Sequence, residues 1–160
     1  MNQKRLVAYF SCSGVTEKMA ETLAEAAGAD IYEIRPEVPY TPADLNWNNK
    51  KNRSSVEMGN PDSHPRIADW IDGIERYDTV LIGFPIWWYT APMIIKTFLE
   101  SYDFSGKTVV PFATSGGSGL GKTAADLKPC CSATTVWKPG RMLNGRQSKD
   151  ALAIWADTLK

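Results

Sequence analysis

The sequence predicts an α/β protein, a three-layer α/β/α open sandwich in which helices cover both faces of a parallel sheet. Short segments rich in β-branched and aromatic residues, with little polar alternation, recur along the chain, as expected for strands that are buried on both faces. Segments with helical periodicity lie between them, so strands and helices alternate. The length of 160 residues suits one domain, and we expect residues 1–160 to form a single domain.

Five strands are predicted, at residues 5–10, 31–35, 79–84, 108–114 and 134–137. Each is short and carries apolar residues at consecutive positions, which is typical of parallel strands. Pro111 lies inside the fourth strand. Because proline has no backbone N–H to donate, we expect a bulge or a locally unpaired position there.

Five helices are predicted between and after these strands, at residues 17–27, 65–77, 92–102, 119–128 and 150–159. Three residues mark their ends. Gly28 can end the first helix in the left-handed conformation, Pro92 suits the first turn of the third, and Ser148 is the expected N-cap of the last.

Residues 36–63 form a long stretch without periodicity. A connection of this length is either functional or the product of a wrong assignment. Four apolar anchors lie along it, Tyr40, Leu45, Trp47 and Met58. We therefore expect an ordered excursion that packs over the domain, with a mobile loop as the alternative.

Composition and charge exclude several classes of function. Hydrophobic residues make up 43% of the chain and charged residues 22%, as in ordinary globular proteins. Eighteen basic and eighteen acidic residues cancel, so no overall field favours nucleic acid. No apolar run approaches the ~20 residues of a membrane span, and the first residues enter a strand without a signal-peptide pattern, so we expect a cytoplasmic protein. Three cysteines without C-x-x-C spacing and one histidine, His64, which we interpret as a loop residue, predict no metal site.

The turn after the first strand has the composition of a phosphate site. It reads Ser11-Cys12-Ser13-Gly14-Val15-Thr16 and stands between a strand and a helix, where free N–H groups and the positive end of the helix dipole point at one spot. The predicted donors are the hydroxyls of Ser11, Ser13 and Thr16 and the N–H groups of Cys12, Gly14 and Val15. The six residues include no Lys or Arg, so neutral groups would hold the anion.

The turns after the third and fourth strands would emerge at the same edge of a parallel sheet. The former reads Pro85-Ile86-Trp87-Trp88-Tyr89, and its aromatic residues need a flat ligand or a partner to cover them. The latter reads Thr114-Ser115-Gly116-Gly117-Ser118-Gly119, and its backbone can approach a planar polar edge and donate to it. An anionic tail and a planar head describe FMN. Trp88 or Tyr89 would stack on its ring, and the residues at its polar edge would be Thr114, Ser115, Gly116, Gly117 and Gly119.

The three turns also resemble those of the flavodoxin family. The likeness rests on the segments at residues 9–16, 85–88 and 114–119 and covers essentially the whole chain. It is closest to bacterial flavodoxin-like proteins that carry Pro-Tyr-Thr followed by Asp-Leu and Trp, here within residues 39–47. Ser13 and Val15 stand where the family's usual first turn has Thr and Asn. The resemblance implies the strand order 2-1-3-4-5, with FMN phosphate wrapped by the first turn and the ring flanked by the other two.

The sequence therefore predicts an FMN-binding, flavodoxin-like protein of electron transfer or oxidoreduction. The flavin would be the redox centre, with no catalytic side chain required. An NAD(P)H:quinone-type FMN reductase of the same fold is the alternative. Expected partners are a redox protein or a small quinone or pyridine-nucleotide substrate, with neither nucleic acid nor membrane, and the expected assembly is a monomer or a weak dimer.

Two rival functions rest on the same turns. Residues 116–123 satisfy G-x-x-x-x-G-K-[ST], the phosphate-loop motif of nucleotide triphosphatases. Neither the third nor the fifth strand ends in the Asp that would hold Mg²⁺ there, so we interpret Lys122 and Thr123 as exposed helix residues. A partner-binding module would instead use Trp87, Trp88 and Tyr89 as interface anchors.

The three cysteines are predicted to be unreactive. Cys12 stands near a helix N-terminus, where a thiol pKa can fall. A neighbouring phosphate dianion would raise that pKa again, so we interpret Cys12 as a small residue whose N–H faces the phosphate. Cys130 and Cys131 are expected to pack.

Overall fold

The computed structural model describes residues 4–12, 14–45, 51–60, 63, 65–69, 71, 73–87, 90–114, 123–138, 140–143 and 147–159. In chain order the elements are β1 (Arg5–Tyr9), α1 (Val15–Ala27), β2 (Asp30–Glu33), α2 (Arg53–Met58), β3 (Thr79–Pro85), α3 (Met93–Ser101), β4 (Thr108–Thr114), α4 (Thr123–Leu127), β5 (Val136–Trp137), β6 (Arg141–Met142) and α5 (Lys149–Asp157). Two short 3-10 turns are found at Ile74–Arg76 and Lys128–Cys130. Within these residues, no helix has both the length and the apolar character that a membrane crossing needs.

The sheet has the predicted strand order, β2-β1-β3-β4-β5, and each of these pairs is parallel. Its register places Tyr9 opposite Gly83 and Pro85 opposite Thr114. The carboxyl ends of β1, β3 and β4 therefore lie side by side. The predicted fold class is confirmed, and the turns that follow these three strands leave from one edge.

The central strands β1, β3 and β4 are buried on both faces, which explains their predominantly apolar character. One core cluster joins Leu6 of β1 to Ile94 of α3. The other joins Val7, the next residue of β1, to Leu23 of α1 and Trp155 of α5. Since successive side chains of a strand point to opposite faces, helices cover the sheet on both sides.

Pro111 keeps a continuous register with β3 but interrupts the ladder on the opposite side of β4. There β4 pairs first with β5 and then with β6. The carbonyls of Val109 and Ala113 accept from the N–H groups of Lys138 and Leu143 at 3.1 and 2.8 Å. Alternation along the strand points the missing N–H of Pro111 to the same side. The locally unpaired position is therefore found, and it is followed by a sixth strand that the sequence pattern did not predict.

The helix predicted at residues 65–77 is wrong. Among the described residues there, only the turn at Ile74–Arg76 is helical. The segment before it pairs with the chain that leaves β2: the Ala68 N–H donates to the Arg35 carbonyl at 2.7 Å, and an isolated antiparallel bridge joins their neighbours. Backbone bonds to a segment distant in sequence thus replace intrahelical ones.

Two predicted helix ends are confirmed, and one predicted helix is described only in its second half. Gly28 ends α1 in the left-handed conformation, with φ 63°, and Ser148 caps α5 by accepting from the Ala151 N–H at 3.1 Å. Within the described residues, α4 begins at Thr123 and gives way to a 3-10 turn after Leu127. Thr123 is fully buried, which corrects the expectation that it is exposed.

The excursion at residues 36–63 is ordered where the structure describes it and contains a helix that periodicity did not predict. This helix, α2, is only six residues long and thus too short to show a pattern. It begins at Asn52, whose side chain accepts from the Ser55 N–H at 2.8 Å. Tyr40 packs against the core cluster beneath the excursion, as expected. Trp47 and His64 lie outside the described residues.

Candidate functional site

The first turn joins β1 to α1 and leaves the helix without a side-chain cap among the described residues. Gly14 precedes the helix in the left-handed conformation, with φ 89°, and its N–H donates to Ser11 Oγ at 3.2 Å. The first N–H groups of a helix have no intrahelical partner, so those of α1 remain available to an anion. Ser11 is half-buried, whereas Cys12 and Val15 are exposed.

A buried hydroxyl pair links this turn to the end of β4. Thr16 Oγ1 lies 2.8 Å from Thr114 Oγ1, and the two residues are only 2% and 4% exposed. Thr16 is the second residue of α1, and Thr114 is the last of β4. The predicted phosphate turn and the predicted ring-edge turn therefore meet at this pair.

The second turn is tied to the same place. The Ile86 N–H donates to the Thr114 carbonyl at 3.0 Å, and Trp87 and Thr90 exchange backbone hydrogen bonds of 2.9 and 3.1 Å. The Thr90 hydroxyl donates to the Asp126 carboxylate of α4 at 2.5 Å. The described residues of the turns after β1 and β3 thus converge on Thr114, the last residue of β4, at one edge of the sheet.

The structure describes only part of the predicted site. Pro85 is half-buried at the end of β3, next to the turn that holds Ile86 and Trp87. Seven predicted site residues lie outside the described residues, namely Ser13, Trp88, Tyr89, Ser115, Gly116, Gly117 and Gly119. Their roles stay predictions. Most of the phosphate-loop motif at residues 116–123 also lies outside them.

An aromatic cluster connects the first turn, the second turn and the excursion. The rings of Phe10, Tyr40 and Trp87 pack edge to face. Their centroids are 5.6 Å apart for Phe10 and Tyr40, 5.6 Å for Phe10 and Trp87, and 5.3 Å for Tyr40 and Trp87. Such pairs contribute about 0.5–1.5 kcal/mol each beyond the area that they bury. The excursion is thereby held against the turn that carries Trp87.

Two charged side chains of α2 fix Tyr40 in this cluster. The Arg53 guanidinium lies 3.9 Å from the centroid of the Tyr40 ring, and the phenol donates to Glu57. Arg53 Nε donates to Glu57 at 3.0 Å, and Nη1 donates to the Val38 carbonyl at 2.6 Å. Burial, together with the hydrogen bond to Glu57, raises the pKa of Tyr40 well above its usual value.

Sequence reasoning missed Arg53 and Glu57 as parts of this site. Their opposite charges at i,i+4 spacing were the available signal, since such pairs face each other on a helix. Asp126 was missed as well, because only the folded chain brings it to Thr90.

The surroundings of the cysteines oppose the thiolate form. Although Cys12 is an exposed residue, desolvation of its thiol by the surrounding protein raises the pKa of Cys12 to about 11, and the positive charge of Arg53 acts in the opposite direction. Burial also raises the pKa of Cys131 to about 11. Both Cys130 and Cys131 pack against the core cluster, as expected.

A cavity of about 540 Å³ lies beside the first turn. Its described lining includes Ser11, Cys12 and Tyr40, together with the ion pair of Arg35 and Asp69. Several other lining residues lie at the end of β2 or just after it, namely Glu33, Pro36, Glu37 and Pro39. The cavity therefore lies on the side of the first turn that faces away from β4.

These features suit a ligand with an anionic end and a flat apolar end. The start of α1 and the Ser11 hydroxyl are neutral donors of the kind that bind phosphate. Trp87 is half-buried at the same edge, and its backbone is fixed by the two hydrogen bonds to Thr90. Donors and an aromatic surface thus occur within one group of connected turns.

The chain is similar to known flavoproteins over nearly its whole length. The sequence model described as Flavodoxin matches residues 4–159. The crystal structure of a proposed flavoprotein from Bacteroides eggerthii is 51% identical, covers 99% of this chain and 98% of its own, and has a TM-score of 0.92. The crystal structure of another proposed flavoprotein, from Bacteroides uniformis, is 46% identical, covers 98% of this chain and 99% of its own, and has a TM-score of 0.91. A flavoprotein from Lactobacillus acidophilus, solved in complex with FMN, is 26% identical, covers 88% of this chain and 93% of its own, and has a TM-score of 0.66. Among curated proteins, none matches the chain.

Proposed function

This chain belongs to the flavodoxin family, and we propose that it binds FMN and takes part in electron transfer or oxidoreduction with the flavin as its redox centre. The observation that carries the proposal is the convergence of the turns after β1 and β3 on Thr114, the last residue of β4, at one edge of the sheet. The FMN complex of the Lactobacillus acidophilus flavoprotein supports the choice of cofactor.

The first turn would hold the phosphate. Ser11 Oγ accepts from the Gly14 N–H and keeps its own proton to donate. The N–H groups of Val15 and Thr16, at the uncapped start of α1, are the further donors. Hydrogen bonds to a charged group contribute about 1.5–3 kcal/mol each, and the helix dipole adds to them. The residues present therefore fit a phosphate without a salt bridge from the turn itself.

The second turn would cover one side of the ring. Trp87 is braced by Phe10 and Tyr40, so its indole is held in place before the ring arrives. Pro85 and Ile86 add apolar surface next to it. When bound, the flavin supplies the redox chemistry, while these side chains fix its position and exclude water from one face.

An NAD(P)H:quinone-type reductase is the second candidate. Such an enzyme needs space for a second flat substrate, and the cavity of about 540 Å³ beside Cys12 and Tyr40 is the observation that favours it. An electron carrier needs no such space, because it exchanges electrons with a partner protein at an exposed edge.

Titration with FMN, followed by visible absorbance and flavin fluorescence, tests the proposed cofactor. We expect saturable binding that ATP does not compete away, and weaker binding in Ser11→Ala. Ser105→Ala is the matched control, because Ser105 is exposed and bonds Ser132 at 2.9 Å, outside the three turns. Protein that binds no FMN would contradict the proposal.

Anaerobic mixing of the FMN-loaded protein with NADPH separates the two functions. Direct bleaching of the flavin absorbance, reversed by benzoquinone, supports the reductase. If the flavin is reduced only when a separate reductase is added, the protein is a carrier.

A further inference from the structure

In the hydroxyl pair of Thr16 and Thr114, either oxygen could be the donor of the hydrogen bond. Their oxygens are 2.8 Å apart, a normal distance for an O–H···O bond. Each threonine hydroxyl has one proton to donate and two lone pairs to accept with. Only one of the two protons can therefore lie between them.

A bound phosphate would determine which of the two hydroxyls donates the proton that lies between them. Thr16 belongs to the turn that we assign to the phosphate, and a hydroxyl binds an anionic oxygen only by donating to it. If the Thr16 proton is directed to the phosphate, the proton between the two hydroxyls has to come from Thr114. The pair then forms a chain of donors that runs from β4 through α1 to the anion.

The position of Thr114 is suited to this role. It stands opposite Pro85 in the parallel ladder, and its carbonyl accepts from the Ile86 N–H at 3.0 Å. Both threonines are almost fully buried, so bulk water cannot replace the missing partner if one hydroxyl is removed. Without the Thr114 hydroxyl, the Thr16 oxygen would have no donor while its own proton points to the phosphate, and a buried acceptor without a partner is costly.

We infer that Thr114 is a positioning residue for the phosphate end of FMN, because its hydroxyl donates to Thr16 and directs the Thr16 proton to the anion. The inference rests on the proposed function and deepens it. It differs from the sequence-based prediction, which assigned Thr114 to the polar edge of the ring.

Binding of FMN and of riboflavin, which lacks the phosphate, tests the inference. We expect Thr114→Val to weaken FMN binding about tenfold, because it keeps the shape of the side chain and removes the hydroxyl. Riboflavin binding is expected to change less than about twofold, since the ring contacts are untouched. Thr114→Ser restores the hydroxyl and is expected to restore FMN binding.

A double-mutant cycle checks that Thr114 acts through Thr16. In a Thr16→Val background, Thr114→Val is expected to cause no further loss of FMN affinity. Thr135→Val is the matched control, because Thr135 is also buried and its hydroxyl donates to the Phe104 carbonyl at 3.0 Å, within another part of the fold. This variant is expected to bind both flavins as the unmodified chain does.

Three outcomes would overturn the inference. Equal losses for FMN and riboflavin in Thr114→Val would place Thr114 at the ring. If Thr114→Val lowers the unfolding temperature but leaves the ratio of FMN to riboflavin affinity unchanged, the hydrogen bond between Thr16 and Thr114 only stabilises the fold. If the unmodified chain binds neither flavin, the proposed function fails and the inference fails with it.

Discussion

Gly83 lacks a side chain at a point where the ring of Phe112 occupies the space. A Cβ built on Gly83 would lie 2.2 Å from Cζ of that ring. Phe112 stands opposite Gly83 on β4 and is fully buried, so the ring cannot swing into solvent. Close pairing of β3 with β4, which brings their two turns together, therefore depends on glycine at this position.

Gly83→Ala is expected to lower the free energy of unfolding by about 1–3 kcal/mol, the usual cost of overpacking a core. Urea denaturation measures it. Phe112→Leu removes ring atoms from the contact, so the double variant is expected to lose less than the sum of the two single losses. Strict additivity would show that the clash is relieved elsewhere.

Cys12 is expected to react slowly with iodoacetamide at neutral pH, because only the thiolate is nucleophilic and the pKa of this thiol is raised to about 11. The thiolate fraction rises with pH below the pKa, so the alkylation rate is expected to increase about tenfold per pH unit from about pH 7 to about pH 10. Peptide mass spectrometry measures the rate. Because the positive charge of Arg53 favours the thiolate, Arg53→Gln is expected to slow the reaction further, and a rate independent of pH would contradict the assignment.

At the scale of elements, the sequence pattern predicts structure well where an element is determined by its own residues. The strand at residues 108–114 has the predicted bounds because its apolar residues are consecutive, and Ser148 and Gly28 act through local hydrogen bonds and local φ. The pattern fails where the local structure of a segment depends on hydrogen bonds to residues distant in sequence. Ala68 bonds to Arg35 in place of forming a helical turn.

The same division applies to the candidate site. The positions of Ser11 and Trp87 could be predicted from the sequence, because each residue lies in the turn just after its own strand, β1 or β3. The pairing of Thr16 with Thr114, which are 98 positions apart, depends on strand order and register together. The bracing of Tyr40 depends on a six-residue helix that carries no periodic signal of its own.

Substitutions of Tyr40 measure how strongly the excursion is attached. Tyr40→Ala removes a ring that contacts both Phe10 and Trp87, so we expect it to lower the free energy of unfolding by about 3 kcal/mol. Tyr40→Phe keeps the ring and loses only the hydrogen bond to Glu57, which predicts a loss near 1 kcal/mol.

Chemical denaturation of the two Tyr40 variants gives these values, and FMN titration shows whether Trp87 has moved. If Tyr40→Ala is as stable as Tyr40→Phe, the edge-to-face contacts contribute nothing and the excursion is attached by other residues. Val56→Ala is the matched control on α2, because Val56 is exposed.

At the scale of the whole molecule, charge is balanced both overall and locally. The formal net charge is zero, so no long-range field steers an anionic ligand. Near the first turn, Arg53 is paired with Glu57 and Arg35 with Asp69. Recognition of a phosphate would then fall to hydrogen bonds and the dipole of α1, which act over short distances.

This balance predicts that FMN affinity depends little on ionic strength. Salt screens exposed charges over about 10 Å at 0.1 M, but it affects hydrogen bonds from N–H and hydroxyl groups far less. We expect the dissociation constant of FMN to change less than about threefold between about 50 and about 500 mM NaCl, measured by flavin fluorescence, with riboflavin as the control that lacks the phosphate. A steep loss for FMN alone would instead mean that a cation reaches the phosphate. Arg53, whose charge acts on Cys12, would then be the residue to substitute, and Arg53→Gln would be expected to abolish the salt dependence.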